Sequence, residues 1–148
     1  MSESTPDKIP ALQPHASGHQ FVFYGDACSG VSGAVHEETF AATNNIVQRL
    51  EPPPDFLIFA GDEIRGLTTS EEDLRSQWNF WFEEEMAWLD REKTPIYHCT
   101  SNHTTYNLMS ERVFSDVMRH IPRNGPVDQL GLSYFVRNGD LLMVFVHT

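Results

Sequence analysis

The chain has 148 residues, 40% of them hydrophobic, and ten Lys and Arg against twenty-one Asp and Glu give a net charge of −11. That length suits one ordinary domain, and that charge repels phosphate backbones at long range, which argues against non-specific nucleic-acid binding. The two cysteines make no disulfide framework, no run approaches the roughly 18 apolar residues of a membrane span, and no secretory leader pattern is present. The expectation is a soluble, cytoplasmic protein.

Residues 1–18, rich in Ser, Pro and His, read as a disordered arm, and residues 19–148 as one domain. Phe21-Val22-Phe23-Tyr24 reads as a buried strand running into Gly25-Asp26, followed by a Gly/Ser-rich loop from Cys28 to Gly33. A helix is expected from about His36 to Leu50, with Phe40, Val47 and Leu50 near one face. Pro52-Pro53-Pro54 stops it, because proline cannot continue a helix.

Phe56-Leu57-Ile58-Phe59-Ala60 is the second buried strand and runs into Gly61-Asp62. Ser70 opens the longest helix, and Asp73 three residues on completes a variant capping box. Glu71, Glu72 and Asp73 fall in the first turn, where the helix dipole favours anions. Leu74, Trp78, Trp81, Phe82, Met86 and Leu89 recur at helical spacing, as an amphipathic helix packing on a sheet requires.

Pro95-Ile96-Tyr97-His98-Cys99 is the third strand and leads through a short polar turn to Asn102-His103. A further helix is expected from about Ser110 to Ile121, with Val113, Phe114, Val117 and Met118 inward. Ser133–Val136 and Leu141–Val146 then form a hairpin across Asn138-Gly139, whose residues both accept positive φ. The order β-α-β-α-β-α-β-β predicts an α/β fold of parallel β-α-β units followed by a β-hairpin. The last strand is very apolar and has no successor to pair with. That pattern of an unprotected edge suggests the front portion of a longer protein.

Each of the first three strands ends in a residue able to hold a metal, at the edge of an open α/β sheet where ligands bind. Asp26 and Asp62 offer carboxylates, Asn102 a carbonyl oxygen and His103 an imidazole. Such a set suits divalent cations and a charged transition state.

Gly25-Asp26-Ala27-Cys28, Gly61-Asp62-Glu63-Ile64-Arg65-Gly66 and Ser101-Asn102-His103-Thr104, taken in order, resemble the first three motifs of the calcineurin-like metallophosphoesterases. The Tyr134 to Leu141 stretch is similar to that family's next hairpin. The resemblance covers roughly Phe21 to Thr148. It implies a partial four-layer α/β/β/α sandwich and a site for two divalent metal ions (manganese, iron or zinc). It also implies hydrolysis of a phosphate mono- or diester by a metal-activated water, so the expected partner is a phosphorylated small-molecule or ester substrate. Asp26 then matches a carboxylate ligand of the first metal, Asp62 the bridging carboxylate and Asn102 the amide ligand of the second. His103 matches the catalytic histidine near the leaving group.

The chain departs from the family pattern at several positions. Cys28 stands where a metal-binding His is common; a thiolate could ligate zinc or iron, and some members do without that ligand. Arg65 stands at an often acidic position, where a surface salt bridge or a phosphate contact is expected. Ser101 replaces a glycine and Thr104 an acidic residue. The family's later His and Gly-His-x-His ligands are not in this sequence, and His147 falls where an Asp-Ser or Asp-Thr is usual, so it is not expected to replace them. The alternative reading is a catalytically inactive α/β fragment or binding module with an incomplete metal site. His98, Cys99 and His103 match no standard zinc spacing, and His98 reads as a buried structural histidine.

Overall fold

The computed structural model describes residues 18–148. All but Gly18 of the expected N-terminal arm therefore lies outside the described residues. Strand β1 (Phe21–Tyr24), helix α1 (Glu37–Val47), β2 (Phe56–Phe59), α2 (Glu71–Phe80), β3 (Ile96–His98), α3 (Leu108–Val117), β4 (Tyr134–Asn138) and β5 (Leu141–Phe145) follow in the expected order. The fold is mixed α/β. Strands β1, β2 and β3 form a parallel sheet in that spatial order, and β4 and β5 form a separate antiparallel pair.

The parallel register is continuous, with Phe21 opposite Phe56, Tyr24 opposite Phe59, and Phe59 in turn opposite His98. All four residues of β2 are buried, as the central strand of a covered sheet should be. β1 differs from expectation. It is an edge strand, and Phe21 and Phe23 stay 47% and 63% exposed while Val22 and Tyr24 face the core. An edge strand has only one neighbour to bury it, so the apolar run alone overstates its burial.

The core is aromatic. Trp81 stands edge-on to Phe59 at 5.4 Å and to Trp78 at 6.1 Å, and Phe40 stands edge-on to Phe59 at 5.9 Å. These are the offset and T-shaped arrangements that the ring quadrupole favours. Leu74, Trp78, Trp81 and Met86 are buried as their spacing predicts.

The long helix is not continuous. After Phe80 it widens into a π turn over Trp81–Glu85, closed by the bond from Met86 N–H to Trp81 O at 2.9 Å. Its N-terminus is half of the expected box. Ser70 Oγ accepts from Asp73 N–H at 3.1 Å, but the Asp73 carboxylate turns to Gln77 Nε2 at 3.3 Å, and Thr68 Oγ1 caps the Ser70 N–H.

α3 starts two residues earlier than predicted because Asn107 and Ser110 form a reciprocal cap. The Asn107 side chain accepts from Ser110 N–H, and Ser110 Oγ accepts from Asn107 N–H, both at 2.9 Å. Glu71 of α2 pairs with Arg75 and Arg112, and Arg75 reaches Asp116 at 2.8 Å, so α2 and α3 are tied across their exposed sides.

The hairpin turn is displaced by one residue from its expected place. Asn138 pairs with Leu141, so Gly139 and Asp140 are the central residues, and of the turn residues only Gly139, at φ 60°, has positive φ. A glycine in the first central position is the pattern of a II′ turn. The hairpin is anchored by Tyr134. Its hydroxyl accepts from His98 N–H at 2.9 Å and donates to His98 O at 2.8 Å, which satisfies the edge of β3 without a sixth strand. The outward residues Leu142 and Val144 of β5 remain exposed.

Candidate metal centre

Three loops leave the carboxyl ends of β1, β2 and β3 and are laced together by backbone bonds. Asp26 N–H donates to Gly61 O at 3.1 Å, Cys28 N–H to Asp62 O at 2.7 Å, Ser29 N–H to Glu63 O at 3.0 Å, and Arg65 N–H returns to Ser29 O at 2.7 Å. The third loop joins through side chains. Ser101 Oγ accepts from Asp62 N–H at 2.9 Å and shares a hydrogen bond with the buried Thr104 Oγ1 at 2.8 Å. Ser101 and Thr104 thus serve to fix the Asp62 loop.

Among the described residues only four non-glycine positions have positive φ, and three of them are here: Asp26 at 58°, Cys28 at 44° and Asp62 at 57°. Each such residue costs roughly 1–2 kcal/mol, and strain of this kind persists where the surroundings dictate it, often at functional sites. The glycines are equally constrained. A Cβ on Gly61 would lie 2.6 Å from Ser101 Cβ, and one on Gly66 would lie 1.7 Å from His103 O.

The side chains of Cys28, Asp62 and His103 converge, with one ligand atom of each within 4.8 Å of the others. His103 is held on two sides. Its N–H donates to Asp62 Oδ1 at 3.2 Å, and its Nδ1 lies 2.7 Å from Arg65 O. A carbonyl can only accept, so Nδ1 carries a proton, and a singly protonated ring keeps its lone pair on Nε2. That is how metal-binding histidines are commonly oriented.

Asp26, an expected ligand, is exposed and outside the converging group, but close enough to act on the thiol electrostatically. Burial first, then the charges of Asp62 and Asp26, push the Cys28 thiol up from its ordinary value. Two carboxylates beside a thiol disfavour a free thiolate nucleophile, whereas a cation among them would reverse that effect.

Asn102, the third expected metal ligand, is exposed, and its carboxamide makes no hydrogen bond to any described residue. It lines a shallow depression with Thr100, Tyr106 and His147. His147 lies outside the converging group. Its Nδ1 is 3.1 Å from Thr100 Oγ1 and its Nε2 is 3.7 Å from Glu111. Arg65 is exposed and takes no part in the ion pairs among the described residues, so the expected surface salt bridge is not formed.

His98 is fully buried against the equally buried Glu63, with Nδ1 2.9 Å from Oε1. Burial raises the Glu63 carboxyl well above its ordinary range, and burial holds His98 down to about 3. Both shifts favour the uncharged form of the pair. His98 packs in the core beside Glu63 and is not part of the group that His103 joins.

Residues of α2 and its π turn hold the site loops from behind, and nothing in the sequence pattern marks them. Gln77 Oε1 accepts from Gly66 N–H at 2.8 Å. Glu85 accepts from Gly30 N–H at 2.9 Å and from Ser29 Oγ.

In comparisons with known proteins, no family model, curated protein or solved structure matches this chain. Among the described residues, no helix is long and apolar enough to cross a membrane.

Proposed function

We propose that this protein belongs to a metal-dependent phosphoric ester hydrolase, with its site at the carboxyl edge of the parallel sheet. The observation that supports this reading is the convergence of Asp62, Cys28 and His103, the first two on positive-φ backbone, with the exposed Asp26 close enough to act electrostatically on Cys28. In this reading the three-strand and two-strand sheets are the inner layers of a four-layer α/β/β/α sandwich. Asp26, Asp62 and Asn102 are the residues that would hold the metals. Divalent ions bound there would neutralise charge on a phosphoryl group and lower the pKa of water.

The chain's own groups do the rest. Asp62, with its N–H fixed by Ser101, presents its carboxylate between the loops. His103, anchored through Nδ1, directs Nε2 outward, and in its imidazolium form it would donate the Nε2 proton to the leaving oxygen. The substrate is a phosphate mono- or diester.

A second reading is a metal-binding module without catalysis. It is favoured by Asn102, which stands on the rim and is engaged by no described residue.

The protein, loaded with manganese, is expected to hydrolyse para-nitrophenyl phosphate or its bis ester, and Asp62→Asn is expected to abolish turnover. Wild-type activity that survives exhaustive chelation, or an Asp62→Asn protein as active as wild type, would overturn the hydrolase reading.

A further inference from the structure

We infer that Cys28, Asp62 and His103 together form a site for one zinc-class cation, with Cys28 as a thiolate ligand. The inference goes beyond the hydrolase reading, because it makes His103 a ligand and not a proton donor. It stands on the positions of three side chains from three different loops.

Their ligand atoms already lie within 4.8 Å of one another. Zinc bonds of about 2.0–2.3 Å place tetrahedral ligand atoms roughly 3.3–3.8 Å apart, so the present spacing exceeds that of a loaded site by at most about 1.5 Å. The lone pair on His103 Nε2 is free to coordinate because Nδ1 is engaged by Arg65 O at 2.7 Å. Cys28 is fixed in position from both sides. Its N–H bonds Asp62 O at 2.7 Å, and the next two residues are gripped by Glu85.

Three protein ligands with a fourth position open to solvent is the composition of a catalytic zinc site, whereas structural sites use four. The thiolate decides the class of metal. Sulfur and imidazole donors favour zinc, cobalt and cadmium over magnesium, calcium and manganese, which prefer oxygen. Binding converts the Cys28 thiol to a thiolate and releases one proton to solvent.

The test uses the full chain, stripped with chelator and titrated with cobalt(II) and then zinc. The expected result is a thiolate-to-cobalt charge-transfer band in the near ultraviolet that zinc abolishes. The band should be lost in Cys28→Ser, kept in Cys99→Ser, and reached only at tenfold or more higher cobalt in His103→Gln. Zinc should also slow the reaction of one of the wild-type protein's two thiols with a disulfide reagent, which tests the thiolate even where a variant folds poorly.

Cobalt bound without the charge-transfer band, or zinc that protects neither thiol, overturns the inference. A His103→Gln protein with unchanged cobalt affinity overturns the ligand role of His103 and returns it to proton transfer. The two readings fail separately. A thiolate–cobalt site with no ester hydrolysis counts against the hydrolase alone, and manganese-dependent hydrolysis without the band counts against the zinc-class site alone.

Discussion

Replacing Gly66 with alanine should damage the site and the fold together, by an amount the structure sets. Gly66 has φ 55°, and a Cβ there would sit 1.7 Å from His103 O. Real Cβ atoms stay at least 3.0 Å from such neighbours, so the two segments must separate by about 1.3 Å (3.0 − 1.7). Separation on that scale breaks the bonds from His103 N–H to Asp62 Oδ1 and from Nδ1 to Arg65 O. Each is worth about 1 kcal/mol, and the left-handed backbone costs an L-residue about 1 kcal/mol more than glycine.

The expected loss for Gly66→Ala is thus about 3 kcal/mol, or about 10 °C in Tm for a chain of this size. Cobalt affinity should fall by about 10–100-fold as His103 loses its orientation. Gly33→Ala is the internal control. It also has positive φ, at 77°, but no atom lies within 4 Å of its would-be Cβ, so it should cost only about 1 kcal/mol. Urea denaturation and cobalt titration of both variants measure these quantities. Equal stability losses in the two variants, or unchanged cobalt affinity in Gly66→Ala, would refute the claim that the Gly66–His103 approach holds the site together.

Tyr134→Phe should lower stability by about 2–3 kcal/mol, because the His98 N–H and C=O that the hydroxyl satisfies become buried and unpaired. A shift of the urea midpoint equivalent to less than about 0.5 kcal/mol would show that the hairpin is anchored by other contacts. The Glu63–His98 pair predicts a pH dependence of defined sign. Burial raises the folded-state pKa of Glu63 well above 4.5, so the folded chain keeps a proton that the unfolded chain loses. Stability from this group is then full below about 4.5 and is lost as pH rises through the folded-state value. Glu63→Gln removes that dependence, so urea midpoints should move in the variant's favour as pH is raised above about 4.5; a constant difference across pH would contradict a protonated Glu63. His98 acts in the opposite sense. Its pKa falls from 6.5 to about 3, so its contribution is present above about 6.5 and is lost as pH falls towards 3.

The framework was legible where short-range chemistry decides it. The apolar runs at Phe56–Phe59 and Ile96–His98, the proline stop after α1 and the Ser70 cap all report local preferences, and the structure keeps them. Errors arose where neighbours decide. β1 is as apolar as β2 in sequence, but its edge position leaves alternate residues in water. The π turn at Trp81–Glu85 interrupts a helical pattern that gives no sign of it.

At the site, Asp62 and His103 could be read from strand ends and motif spacing, and the structure brings them together. Cys28 could be read only as an open alternative, because its meeting with Asp62 and His103 depends on positive φ at Cys28 and Asp62. Asn102 is read from the same strand end and motif as His103, which do not fix where its side chain points. Its peptide neighbour turns inward while its own side chain stays on the rim. The tethers from Gln77 and Glu85 were invisible because they arise from tertiary packing and follow no residue pattern.

The widened turn after Phe80 also sets an angular phase. One residue inserted into an α-helix rotates everything beyond it by about 100° around the axis. With the insertion, Gln77 before it and Glu85 after it both address loops on the same side, one holding Gly66 and the other Ser29 and Gly30. Regular winding through Trp81–Glu85 would leave the helix intact but swing the second tether out of line, so that Glu85 would no longer brace Ser29 and Gly30. The spacing between the two halves of the site is therefore gauged by a single rod, and its irregularity brings both marks to the same face.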